Sequence, residues 1–280
     1  MEIKLSKKMG FCFGVKKSVN LAKNILKEKK DNQYMLGFII NNPQVIEYFK
    51  KEGVKMVDSV DEVPEESTMI TRAHGISPIV LKQADQKKIK IVDTTCPYVK
   101  KVQKIAQYLY KKHYFIVIYG DKKHPEILSL LDTVQGNAFV VKSILEAEEI
   151  TKQKKIGLIS QTTKNIYNFN KLSFALLNKA KELRIFNTIC KSTMERQKSA
   201  LELAKEVDIM LVIGGKDSAN TTRLAEISKN QGIKTYHIET KNQLKRKWFQ
   251  PENKVGITSG ASTPDWVTNE VINTLKEWYH

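Results

Sequence analysis

Cysteine is scarce in this chain of 280 residues: there are three, Cys12, Cys96 and Cys190, far apart and odd in number. So few thiols exclude a secreted disulfide scaffold, which needs paired and closely spaced cysteines, and they fit a reducing cytosol. No Cys-x-x-Cys pair is present, so the zinc-finger and bacterial-ferredoxin patterns are excluded as well. Long apolar runs are also missing. None approaches the ~18 residues of a membrane span, and the N-terminus, Met1-Glu2-Ile3-Lys4-Leu5-Ser6-Lys7-Lys8, puts charges where a secretory signal needs an apolar stretch. The expectation is a soluble, cytoplasmic protein with no membrane partner. Acidic residues are the minority charge, 30 Asp+Glu against 47 Lys+Arg, for a net charge of +17. That balance is also the footprint of nucleic-acid binders. Here, however, the lysines come as scattered pairs such as Lys16-Lys17, Lys29-Lys30, Lys100-Lys101 and Lys154-Lys155, with no basic block and no interleaved aromatics. They read as a solvated surface that draws small anions inward, an effect that salt weakens, and nucleic acid is not expected as a partner.

What is present is 41% apolar, too much for disorder, over a length that allows up to three domains. Short apolar runs of strand type alternate with amphipathic helical stretches along the whole chain, the pattern of a parallel-sheet α/β protein. The predicted strands are Tyr34–Ile40, Thr68–Thr71, Lys90–Asp93, Phe115–Tyr119, Ile156–Ser160, Ile209–Ile213, Thr235–Ile238 and Val255–Thr258. Helical stripes run through Val15, Val19, Ala22 and Leu26, through Val102, Ile105, Ala106 and Leu109, and through Ala200, Ala204 and Val207. Ser143-Ile144-Leu145-Glu146 has the form of a capping box at a helix start. Each cysteine is followed by a basic amphipathic helix, and the three recur at nearly equal intervals. The chain therefore divides into three similar α/β units: 13–96, 97–190, and 191–280, the last completed by a strand within 1–12.

Nearly all polar motifs stand between a predicted strand and the following helix, the edge at which open parallel sheets bind ligands. A single cysteine there is an ordinary buried residue, but three at equivalent places point to a shared metal site. Three thiolates around a four-iron cube leave one iron without a cysteine, open to polarise a substrate oxygen. His74 and His124, beside Gly75 and Pro125, are ordinary core histidines or donors to an anion. Glu126 is a candidate proton donor and Thr162 a relay, whereas His113, His237 and His280 lack such company. Gly214-Gly215-Lys216-Asp217-Ser218-Ala219-Asn220 offers hydroxyl and amide donors to phosphate oxygens but lacks the order of a Walker P-loop. Ser259–Pro264 reads equally as a second such turn or as a plain connection with Thr263 at the helix N-cap.

Seven ordered motifs carry a resemblance: Gly10-Phe11-Cys12-Phe13-Gly14-Val15, Arg72-Ala73-His74-Gly75-Ile76-Ser77-Pro78, Asp93-Thr94-Thr95-Cys96-Pro97, His124-Pro125-Glu126, Gln161-Thr162-Thr163, Thr188-Ile189-Cys190 and Gly260-Ala261-Ser262. Over essentially its full length the chain resembles the LytB family, the 4-hydroxy-3-methylbut-2-enyl diphosphate reductases. The resemblance implies a cloverleaf of three α/β domains around a [4Fe–4S] cluster held by Cys12, Cys96 and Cys190, with one iron lacking a cysteine ligand. It implies an oxidoreductase of the last step of the non-mevalonate (MEP) isoprenoid pathway. A small allylic diphosphate loses its hydroxyl, ferredoxin or flavodoxin supplies two electrons, and Glu126, His124 and Thr162 serve the chemistry. The products are isopentenyl and dimethylallyl diphosphate, and a monomer is expected. Substrate contacts are expected at His74, His124, Thr162, Ser218, Asn220 and Ser262, and at Asn41, whose amide can donate but cannot become cationic. Two positions depart from the family pattern. Asn41 stands where a histidine is expected and Ala219 where a second serine is usual, both at the diphosphate end, so weaker substrate binding is predicted. A different anionic substrate on the same fold is the competing reading.

Overall fold

The computed structural model describes residues 1–28 and 32–279; the Lys29-Lys30 pair and His280 lie outside them. The chain opens with β1 (Glu2–Leu5) and α1 (Phe13–Glu28). There follow β2 (Gln33–Leu36), α2 (Pro43–Lys51), β3 (Lys55–Val57), β4 (Thr68–Ile70), α3 (Pro78–Gln86) and β5 (Lys90–Val92). Next come α4 (Pro97–Lys111), β6 (Phe115–Tyr119), α5 (Pro125–Thr133), β7 (Ala138–Val141), α6 (Ile144–Glu148), β8 (Gln153–Ser160), α7 (Ile166–Leu177) and β9 (Ala180–Ile185). The last stretch holds α8 (Lys191–Ala204), β10 (Ile209–Ile213), α9 (Ala219–Lys229), β11 (Lys234–Ile238), β12 (Lys254–Ser259) and α10 (Asp265–Tyr279).

The strands form three four-stranded sheets, ordered β1-β12-β10-β11, β3-β2-β4-β5 and β7-β6-β8-β9, and each pairing is parallel. One topology recurs. The first strand lies inside, the second flanks it at an edge, the third pairs with the first on its other side, and the fourth is outermost. In the sheet built late in the chain, β10, β11 and β12 take the first three places and β1 the fourth. The order therefore reverses between first and third strands in each sheet, which opens a crevice beyond their carboxyl ends. Central strands such as β10, Ile-Met-Leu-Val-Ile, are buried along their whole length because helices cover both faces.

The chain divides into two compact units. One, Met1–Lys16, Ile40–Tyr48 and Lys191–His280, contains the β1-β12-β10-β11 sheet, whose core packs Leu211, Ile213 and Ile257 against Val267 and Val271 of α10. The other, Lys17–Ile39 and Phe49–Cys190, contains the remaining two sheets. One of its cores centres on Tyr34, Leu36, Met69 and Ala84, the other on Val102, Ile116, Ile118 and Leu130.

Four sequence expectations need correction. The strand predicted to run to Ile40 stops at Leu36, because Gly37 takes φ +65° and the Arg72 guanidinium lies 2.9 Å from where a Cβ would stand. Ile39 and Ile40 are buried as loop residues instead. The strands β3, β7 and β9 escaped prediction although the equally peripheral β5 and β11 did not; β9, Ala-Lys-Glu-Leu-Arg-Ile, is charged at three of its six residues. Val207 lies beyond the end of α8 and packs from the turn that follows. At α6 the Ser143 hydroxyl caps Glu146 N–H as expected, but the Glu146 carboxylate reaches back to the amide of Lys142 rather than Ser143. A reciprocal box closes elsewhere, between Ser59 and Glu62, around a single short turn.

Candidate active site

Each cysteine follows the outermost strand of a sheet and precedes a helix: Cys12 after β1, Cys96 after β5, Cys190 after β9. Their backbones are fixed in one repeated way. Cys12 N–H donates to Ala261 O (3.2 Å), Cys96 N–H to Ala73 O (3.0 Å) and Cys190 N–H to Thr162 O (3.0 Å), in each case a carbonyl in the loop that leaves the third strand of the same sheet. Two residues upstream the pattern continues. Gly10 N–H donates to Ser259 Oγ, Thr94 N–H to Thr71 Oγ1, and Ser160 N–H to Thr188 Oγ1. Backbone hydrogen bonds thus aim all three residues from equivalent loops. None of the three is in a disulfide and each is partly exposed. The Val15 amide points at Cys12 Sγ from 3.4 Å, as free amides of a helix start do toward an anionic ligand.

Among the described residues no three His, Cys, Asp or Glu side chains gather as one metal ion requires. A four-iron cluster makes no such demand, because each cysteine ligates a different iron. Three thiol donors fit that soft group.

In the two-sheet unit, α5 starts at His124, the N-cap, with Pro125 in its first turn. The Glu126 amide donates to His124 Nδ1 (3.2 Å), so Nδ1 bears no hydrogen and the neutral ring carries its proton on Nε2. Glu126 is 1% exposed. Its Oε1 accepts from the Thr162 amide and its Oε2 meets the Thr162 hydroxyl, both at 2.7 Å. Burial away from water pushes the carboxyl up to about 7, although the two Thr162 hydrogen bonds pull the other way. The His74 ring meets His124 edge-on, with centroids 5.2 Å apart. Burial first, then the neighbouring His124 and Arg72, drives His74 down to about 3; burial, with a smaller push from Lys164, takes His124 to about 4 despite Asp121. These rings are neutral N–H donors near pH 7. His74 Nδ1 is buried with no hydrogen-bond partner among the described residues.

The other unit carries a second polar cluster at the crevice between β10 and β12. The chain turns sharply after β10 at Gly214, φ +139°, where a Cβ would strike the Thr263 hydroxyl. Ser218 then caps α9, accepting from the Thr221 amide (3.4 Å) and hydroxyl (3.0 Å). Ser262 Oγ, from the loop after β12, lies 3.2 Å from Ser218 Oγ and 3.3 Å from the Asn41 carbonyl. Asn220 is 4% exposed, and neither atom of its amide has a partner among the described residues. A buried amide left unpaired is costly, and its two atoms are available to a polar ligand. α10 begins at Asp265, two residues after Thr263, whose hydroxyl donates back to Ile213 O instead of capping the helix. Asn41 Nδ2 donates to Asp217 O (3.1 Å), which places this residue against the loop itself.

The structure thus brings His74, His124, Glu126 and Thr162 together in one unit, and Asn41, Ser218, Asn220 and Ser262 in the other. Sequence reasoning passed over three residues here. His237 and Glu239 bond to the Gly214–Ser218 stretch, but one stands inside a strand and the other just after it, with no motif around either. Lys164, which follows the Gln161-Thr162-Thr163 motif, is buried with its ammonium 2.6 Å from Asp121 Oδ1.

Comparisons with known proteins show what the chain as a whole is similar to. A model of the LytB protein family matches residues 3–276. The chain is 42% identical over 276 residues to a 4-hydroxy-3-methylbut-2-enyl diphosphate reductase of Campylobacter hominis, covering 98% of each. With the enzyme of the same name from Geobacter metallireducens the identity is 43% over 277 residues, 99% of this chain and 98% of the relative. Among solved structures, the E-1-hydroxy-2-methyl-but-2-enyl-4-diphosphate reductase from Plasmodium falciparum matches with a TM-score of 0.94 at 28% identity, over 98% of this chain and 88% of that one. Another, described as (E)-4-hydroxy-3-methyl-but-2-enyl diphosphate reductase, the terminal enzyme of the non-mevalonate pathway, matches with a TM-score of 0.73 at 40% identity, over 99% and 100%.

Proposed function

The chain belongs to the LytB family, and from that premise we propose that it reduces 4-hydroxy-3-methylbut-2-enyl diphosphate to isopentenyl and dimethylallyl diphosphate. It is a reductase of the last step of the non-mevalonate isoprenoid pathway. The reaction takes up two electrons and two protons and releases the allylic hydroxyl as water.

The observation that carries this reading is Glu126, a buried carboxyl poised at about 7 and held at both oxygens by Thr162. Hydroxide is a poor leaving group, so a proton must reach the departing oxygen. Protonated Glu126 donates from Oε2 to Thr162 Oγ, whose own hydrogen is then free for that oxygen. His124 and His74 present neutral N–H groups that hold the anion without repelling a proton donor. Ser218, Asn220 and Ser262 take further diphosphate oxygens; Ser218 Oγ already accepts from Thr221, which leaves its hydrogen to donate. Asn41 stands at the edge of that loop and Ala219 contributes no hydroxyl, so the diphosphate meets fewer donors than the family pattern provides.

Cys12, Cys96 and Cys190 would hold a [4Fe–4S] cluster, which would supply electrons and Lewis acidity at an iron without a cysteine ligand. Ferredoxin or flavodoxin delivers the electrons, and the enzyme works as a cytoplasmic monomer of three domains, 13–96, 97–190, and 191–280 with 1–12. No helix among the described residues is long and apolar enough to cross a membrane.

The test is anaerobic turnover of the hydroxylated diphosphate with a reduced donor and chromatographic identification of products. Both isoprenyl diphosphates are expected, and Glu126→Gln, which keeps size and hydrogen bonding but holds no transferable proton, lowers kcat about 10²- to 10⁴-fold. Turnover of another phosphorylated substrate in its place, or an undiminished Glu126→Gln, overturns the reading.

A further inference from the structure

The stretch from Gly214 to Asp217 is fastened from outside at three nearly successive peptide groups. His237 Nε2 lies 2.9 Å from the Gly214 carbonyl oxygen. A carbonyl oxygen only accepts, so Nε2 carries the hydrogen and His237 donates. Two residues on, the Lys216 amide donates to Glu239 Oε1 at 2.9 Å. Asn41 Nδ2 then donates to the Asp217 carbonyl at 3.1 Å. From within the loop's own helix, Thr222 Oγ1 donates to the Lys216 carbonyl at 2.9 Å. The register of the sheet explains the first two contacts. β11 pairs with β10 so that Val212 faces His237 and Ile213 faces Ile238, which sets residues 237 and 239 level with the chain as it leaves β10.

These bonds lock the peptides immediately before Ser218, whose hydroxyl caps α9, and Asn220, whose buried amide has no protein partner among the described residues. A segment beginning Gly-Gly is otherwise among the most mobile a chain can contain, and ordering it at the moment of binding costs affinity. We propose that His237 and Glu239, together with Asn41, are positioning residues that preset the Gly214–Asp217 stretch so that Ser218 and Asn220 meet the diphosphate in ready geometry. The proposal rests on the reading of this loop as the diphosphate site. None of the three need touch the substrate. They act through the backbone, and Asn41 replaces a possible contact with the ligand by a contact with the loop.

The test uses cluster-loaded enzyme with His237→Leu and Glu239→Ala, and with His237→Gln and Glu239→Gln, which keep the donor and the acceptor. Four quantities are measured: KM and kcat for the hydroxylated diphosphate, calorimetric Kd for inorganic diphosphate, and Tm. Loss of one fastening bond is expected to raise KM and Kd about five- to tenfold while kcat stays within about twofold, and the Gln variants bring both constants back toward the parent. Unchanged KM and Kd in the Leu and Ala variants overturn the proposal. So does a rise that Gln does not reverse, which assigns the effect to lost packing, or a fall in Tm and kcat with KM unmoved. Ser262→Ala run alongside separates the two levels. If it also leaves Kd unchanged, the loop is not the diphosphate site. If it raises Kd while His237→Leu and Glu239→Ala do not, only the positioning role fails. Should His237→Leu not fold, Glu239→Ala decides, with faster hydrogen exchange at the Lys216 amide expected and parent-like exchange contradicting.

Discussion

At the scale of the residue, the proposed chemistry depends on one carboxyl kept from water. Glu126 is raised to about 7 by burial, and Thr162 restrains that rise and, in the proposed reaction, carries the proton onward. The active form is the protonated one, so kcat/KM of the parent is predicted to be level at acid pH and to fall about tenfold per unit as pH climbs above about 7. Thr162→Val keeps the backbone bond and removes the hydroxyl that stabilises the carboxylate. Its pH limb is predicted to move to higher pH while kcat drops, which rate profiles of parent and variant will resolve; an unmoved limb assigns the titration to another group. Glu126, Thr162 and the two histidines were legible as candidates because each sits in a short polar motif at a strand end. Their neutral state was not legible. Proximity to an anion argues for charged imidazoles, whereas burial above all, with His124 and Arg72 beside His74 and Lys164 beside His124, holds both rings well below that state in the protein alone.

At the scale of the element, strand-to-helix turns place the site, and their sharpness is set by glycine. Gly214→Ala forces a side chain into φ +139° and against Thr263, so a loss of roughly 1–3 kcal/mol of stability is expected together with a raised KM, both measurable on purified protein by melting and by turnover. A variant with parent-like Tm and KM would show that the turn is not so confined. Central strands were readable because burial on both faces makes them continuous apolar runs, as in Ile209–Ile213. The edge strand β9 was not, since three of its six residues are charged and none is fully buried, and the strand predicted over Tyr34–Ile40 ran past a glycine whose role appears only when Arg72 packs against it. His237 and Glu239 escaped for a related reason. Their function comes from strand register, a long-range fact that no local pattern carries.

At the scale of the whole molecule, one strand order repeated three times accounts for the even spacing of the cysteines. Each closes a sheet at its outer strand and is tied by its amide to the loop of the third. The repeat was visible in the sequence; the shared backbone bond beneath it was not, because it joins residues far apart in the chain. The net charge of +17 belongs to this scale as well. An anionic substrate should be steered by it, so kcat/KM is expected to fall severalfold between low and high ionic strength while kcat holds, and a salt-independent kcat/KM would remove steering from the account. The central claim, that Cys12, Cys96 and Cys190 together hold an iron–sulfur cluster with one open iron, is tested most directly by metal and sulfide analysis of anaerobically purified protein, followed by its visible spectrum with and without the hydroxylated diphosphate. About four irons and four sulfides per chain, with a spectrum that substrate perturbs, is the predicted result. Zinc, or no metal after reconstitution, would contradict it.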